Sequence, residues 1–226
     1  MNEWLKSYLP NVYLIPDEFI EATKQTLYMT FWSALIGGIL GIILGVVLVV
    51  TRPKGLIENR LCFELFDKVI NIVRSIPFII LLSLLALTTR FIVGTTIGAT
   101  AALVPLIVGI VPFFARKIEN ALLEVDPGVI EAAQAMGTSP LGIIFRVYLL
   151  EGLPSIIRVS ALTIINVIGL TAMAGAVGAG GLGNLAISRG YNRFQTDVTV
   201  VATLLILALV FLSQFISNFL IKKISH

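Results

Sequence analysis

Four long stretches of the chain hold no charge: between Lys24 and Arg52, Arg90 and Arg116, Arg158 and Arg189, and Asp197 and Lys222. Each is longer than the roughly 20 apolar residues that cross about 30 Å of hydrocarbon. A fifth apolar segment, Val69–Thr89, is broken only by Arg74 near one end. There a long stem lets the charged head stay at the interface. The pattern predicts five transmembrane helices, at about 20–50, 60–89, 97–120, 152–177 and 197–222, in one membrane domain covering 1–226. Residues 1–19 fall outside this core, and the first span starts too late and runs too long for a cleavable leader.

Between the third and fourth spans, about 121–150, the pattern changes to short capped helices. Asp126-Pro127 is a helix start, with a capping carboxylate and then proline where no N–H is needed. Helix-compatible residues follow to Met136, and Gly137 can close the helix in a left-handed conformation. Thr138-Ser139-Pro140 starts a second helix that runs to about Leu150, and Pro154 opens the fourth span. Ala132 and Ala133 would give this loop a smooth side for another protein.

Composition agrees with lipid as the solvent: of 226 residues 57% are hydrophobic and 13% charged, where soluble domains carry about 25% charge. Basic residues orient the chain. With the N-terminus outside, eleven Lys and Arg fall on the inner side and five, Lys6, Lys24, Arg90, Arg189 and Arg193, on the outer side. Basic loops stay inside, so the expected topology is N-out and C-in, with the 121–150 loop in the cytoplasm. The net charge of +3 is too diffuse for a nucleic-acid footprint. Lone Cys62 and lone, terminal His226 leave no cysteine or histidine set for a metal and no buried histidine catalyst.

Other motifs weaken under inspection. Gly178–Gly183 satisfies G-x-G-x-x-G, yet it ends an apolar helix and has no βαβ unit around it, so tight turns and close packing are the simpler use. It could also line an outer mouth, where irregular backbone is tolerated at membrane depth. No Gly-Lys-Ser/Thr occurs, so the chain has no Walker A loop. Glu119, Glu124, Asp126 and Glu131 read as solvated, capping or partner-contacting carboxylates rather than a catalytic pair. Mid-span ionisable groups, the usual mark of ion coupling, are missing. A secondary carrier is therefore hard to build, and an intramembrane enzyme harder. Among the polar residues of the spans, Thr163 and Asn166 could line a path or bond between helices, and Met173 could plug a narrow passage or simply pack. Gly37, Gly41 and Gly45 recur on one face of the first helix, suiting close packing within the chain or against another subunit. Gly94 and Gly98 read as turn residues.

Glu131-Ala132-Ala133, followed by Gly137 and by Leu153-Pro154, resembles the EAA loop of bacterial ABC importer permeases. Asn71–Phe78, Glu119–Leu122 and Gly175–Gly183 are similar to the methionine-uptake permeases of that superfamily, over roughly residues 20–222. Glu151, two residues before Leu153, departs from the usual apolar residue. The resemblance implies an all-α, type I importer permease in the bacterial plasma membrane. Its loop would be a coupling helix, with Glu131, Ala132, Ala133 and Gly137 docking on a cytoplasmic ABC ATPase dimer. ATP and Mg²⁺ would bind that partner, and this chain would bind no cofactor. A second copy would complete the path, since five spans give too little wall, and an external substrate-binding lipoprotein would deliver methionine. The alternatives are a permease for another small amphipathic solute, or an independent carrier.

Overall fold

The computed structural model describes residues 8–224, and among these all regular structure is helical. The helices are α1 (Pro10–Leu14), α2 (Pro16–Thr51), α3 (Arg60–Ser75), α4 (Phe78–Leu84), α5 (Ala86–Val93) and α6 (Ala99–Leu123). They continue with α7 (Pro127–Ala135), α8 (Pro140–Ile143), α9 (Leu149–Glu151), α10 (Leu153–Ala174), α11 (Gly181–Asn184) and α12 (Thr196–Ile224). Wider π-helical turns fill Ile144–Tyr148, Gly175–Ala179 and Leu185–Tyr191. Among the described residues, four helices are long and apolar enough to cross a membrane: α2, α6, α10 with its π-helical extension, and α12.

The segment expected as one helix over 60–89 is broken. Pro77 has no N–H to donate and pushes the preceding residue out of the helical region. Ile76 accordingly sits at φ −84°, ψ 122°. Amphipathic α3 ends there, and α4 and α5 follow, separated at Leu85. Gly94 and Gly98 both adopt left-handed φ, +84° and +97°, in the turn into α6.

The chain forms two compact units. One gathers the residues up to Ala34, Pro77–Ile107 and Ile164–Gln214. Its cores join Phe19, Ala22, Leu182, Leu185 and Val198, and Met29, Ala102, Leu106 and Ala174. Residues 8–19, expected outside the core, are fastened into this unit. Phe19 is buried, and the Asn11 backbone and side-chain N–H groups both donate to the Asp197 carboxylate at 2.9 Å. The other unit holds Leu35–Ile76, Val108–Thr163 and the chain from Phe215. Its main core joins Phe114, Ile118, Leu122 and Val125 with Ala133, Ile143, Val147 and Tyr148.

Candidate coupling site and path residues

Backbone needs shape the 121–150 loop. Asp126 Oδ1 accepts the Gly128 N–H at 2.8 Å, satisfying one of the donors orphaned at the start of α7. Such a cap is worth about 1 kcal/mol. At the other end the Gly137 N–H reaches Gln134 O at 2.9 Å and the Thr138 N–H reaches Ala133 O at 3.1 Å. This pair of bonds closes a helix only if the residue between turns left-handed, and Gly137 has φ +75°. Ser139 Oγ then accepts the Gly142 N–H to start α8, with Pro140 at the first position.

Glu131 and Ala132 are exposed, but Ala133 is turned inward with 5% of its surface accessible. The smooth outer side expected from both alanines therefore rests on Ala132 alone. Ala133 follows Ile130 by three residues, which puts both on the core-facing side of α7. The outer side instead presents Val129, Met136 (79% exposed), Leu141 and Phe145. Exposed apolar side chains beside polar groups make this side of the loop a candidate interaction surface. A cleft of about 370 Å³ opens beside α7, where Arg52 and Lys54 from the turn after α2 share the wall with Glu131, Gln134 and Tyr148. Burial pushes the Tyr148 phenol above its ordinary value, against the pull of Arg52, so it stays neutral in cytoplasm-like pH. The cleft thus offers both signs of fixed charge and a neutral hydroxyl.

Thr163, Asn166 and Met173 are spread along α10. Thr163 is buried (4%) and donates its hydroxyl to Val159 O at 2.7 Å, the internal use left open by sequence. Asn166 is half-buried and Met173 is 43% exposed. Seven residues is close to two helical turns, so these two share a side of α10. On α2, Gly37, Gly41 and Gly45 face Ile110, Phe114 and Ile118 of α6. A Cβ at each would lie 2.6–2.7 Å from those side chains.

The family described as "Binding-protein-dependent transport system inner membrane component" matches residues 37–226. This chain belongs to that family. It is 47% identical over 94% of its length to the "Methionine import system permease protein MetP" of Bacillus subtilis, covering 95% of that protein. It is 44% identical to the "Probable D-methionine transport system permease protein MetI" of Vibrio cholerae, with 93% of each chain covered. Among solved structures, a chain of the inward-facing MetNI methionine ABC transporter superposes with TM-score 0.90. The two are 43% identical, over 92% of this chain and 97% of that one. An amino acid ABC transporter chain at 17% identity superposes with TM-score 0.78 and shares the fold.

This inner-membrane transport component contains two arrangements that sequence spacing did not reveal. Glu119, expected to be solvated, is 5% exposed and bonded to Arg116 at 2.6 Å. Arg116 also pairs with Asp67 and reaches Asn71 Oδ1 at 3.3 Å. Arg116 and Glu119 at i, i+3, and Asp67 and Asn71 at i, i+4, were visible signals of faces meeting. Their partnership across 49 residues was not. Removing one member would leave its partners' charge uncompensated in partly buried surroundings. The second arrangement is at the glycine run. Gly178, Gly180 and Gly181 all have left-handed φ, and the N–H groups of Gly181 and Leu182 point at side chains of α2.

Proposed function

We propose that this chain is the membrane permease of an ATP-driven methionine importer, acting as one of two identical copies above a dimeric cytoplasmic ATPase. The observation that carries the reading is the TM-score of 0.90 at 43% identity with the methionine transporter chain, across 92% of this chain. The described helices make up one membrane domain with five crossings, N-out and C-in. The second crossing is the broken α3–α4–α5 segment, which falls short as a single helix because of Pro77.

In this reading α7 is the coupling helix. Glu131, Ala132 and the apolar side chains of Met136, Leu141 and Phe145 meet the ATPase, while Ala133 and Gly137 fix the helix's position from behind. ATP and Mg²⁺ belong to the ATPase, and this chain holds neither. Asn166 and Met173 on α10 line the path, and Thr163 stiffens the same helix. An outer binding protein delivers the substrate. The test is purification of the tagged chain from its native membrane. An ATPase subunit at one copy per permease, with hydrolysis stimulated by a methionine-loaded binding protein, is the expected result. Transport by the purified chain alone would overturn the reading.

A further inference from the structure

The stretch Val177–Gly181 leaves the helical path in several steps: Val177 at φ −111°, Gly178 at +99°, Gly180 at +80° and Gly181 at +76°. α11 then starts with N–H groups that have no acceptor one turn before them. Its cap residue, Gly180, has no side chain to supply one. The acceptors come from α2, 156 residues earlier: Gln25 Oε1 takes the Gly181 N–H at 2.7 Å and Thr26 Oγ1 takes the Leu182 N–H at 2.9 Å. Both side chains are themselves held. Gln25 Nε2 donates to Glu21, and the Thr26 hydroxyl donates to Ala22 O at 3.0 Å.

Positive φ at Gly180 and Gly181 already favours glycine, and the fit around them is close. A Cβ at Gly180 would stand 2.3 Å from Gln25 Oε1, and one at Gly181 would stand 2.7 Å from Thr26 Oγ1. One turn further, a Cβ at Gly183 would strike the backbone of Ala172 at 2.2 Å, next to Met173. A second fastening runs parallel, an ion pair between Glu18 of α2 and Arg189. The glycine run is therefore gripped on one side by α2 and seated on the other against the end of α10.

We infer that Gln25 and Thr26 are positioning residues that hold the glycine run, and through it the Met173 end of α10, in the closed arrangement of the outer side. The inference rests on the importer reading, in which the outer side stays closed until a loaded binding protein arrives. Displacing the run would let α10 shift without that signal. ATP hydrolysis would then lose its dependence on the binding protein.

The experiment uses the complete complex of permease and ATPase in proteoliposomes, with Gln25→Leu and Thr26→Val, which keep size and remove the acceptor, and Thr26→Ser, which keeps it. Hydrogen exchange of the peptide around 177–185 reads the contact itself, and hydrolysis without binding protein reads its role. Expected are faster exchange in both acceptor-less variants and hydrolysis raised about fivefold or more, the lower end of coupling between separate sites. Thr26→Ser should behave as the unaltered protein. Unchanged exchange would overturn the grip, and faster exchange with unchanged hydrolysis would overturn its role in coupling. If the unaltered complex shows no stimulation by binding protein, the importer reading fails and the role fails with it, while the exchange result still reports on the contact.

Discussion

At the residue scale the 121–150 loop, the proposed coupling loop, depends on Gly137 for one reason only. A Cβ there would meet nothing within 4 Å, yet φ is +75°. Substitution is therefore a backbone experiment, free of packing effects. Left-handed backbone costs a residue with Cβ about 1–2 kcal/mol, more for a β-branched one. In a marginal equilibrium that is roughly a five- to thirtyfold change in population. Gly137→Val should lower methionine uptake by about that factor and weaken stimulation of the ATPase, while the chain still inserts and copurifies. Gly137→Asn, which tolerates the left-handed region, should recover most of the loss. Equal uptake by the valine variant at equal expression would show that the Gly137 turn does not set the docking geometry.

Helices in this protein are held by small residues and by spent hydroxyls, and the two make different predictions. Gly45 approaches α6 so closely that a Cβ would lie 2.6 Å from Ile118 and 2.9 Å from the Ala115 carbonyl, whereas Gly38 on the same helix meets nothing within 4 Å. Gly45→Val should destabilise the detergent-solubilised chain by about 1–3 kcal/mol, the usual cost of overpacking. Gly38→Ala should leave its thermal midpoint in place or raise it. On α10, cysteines replacing Asn166 and Met173, in a chain with Cys62→Ser, should change in thiol labelling between nucleotide-free and nucleotide-bound complexes. A cysteine at Thr163 should remain slow in both, and state-independent labelling at 166 and 173 would remove α10 from the path. Much of this element level was legible in the chain. Charge-free gaps located α2, α6, α10 and α12 because lipid demands uninterrupted apolar length, and Asp126, Gly137 and Ser139 announced local backbone needs. What escaped was non-local or competing. Hydropathy ran straight through Pro77, although the proline broke the helix. The inward turn of Ala133 needed knowledge of which face met the core. Arg116 with Asp67, and Gln25 with Gly181, are paired by the fold across 49 and 156 positions, where spacing carries no information.

At the scale of the molecule the question is what passes. The long helices carry charge only toward their ends: Asp17, Glu18, Glu21 and Lys24 in the first quarter of α2, Arg116, Lys117 and Glu119 late in α6, Arg158 early in α10, and Asp197 at the start and Lys222 and Lys223 at the end of α12. Asp197 is spent on Asn11, and Arg116 on Asp67 and Glu119. A lysine or glutamate side chain crossing between these ends would shed hydration without a fixed partner, at a cost of several kcal/mol. An uncharged thioether side chain loses far less, and in the proposed path the common ammonium and carboxylate groups would be met by water and by polar groups such as Asn166. On the proposed reading such a wall would admit neutral amino acids as a class and leave the choice among them to a binding protein, so changes at Met173 or Asn166 should alter rate more than preference. Uptake of labelled methionine by vesicles carrying permease, ATPase and binding protein should therefore be competed by other neutral thioether or aliphatic amino acids only as far as the binding protein accepts them. Lysine and glutamate should fail to compete even in excess. Met173→Ala should change the maximal rate severalfold and leave the order of competitors as it was. Carriage of lysine or glutamate in place of methionine would show that the path has charged partners that the folded chain does not display, and the substrate assignment would fall while family membership stood.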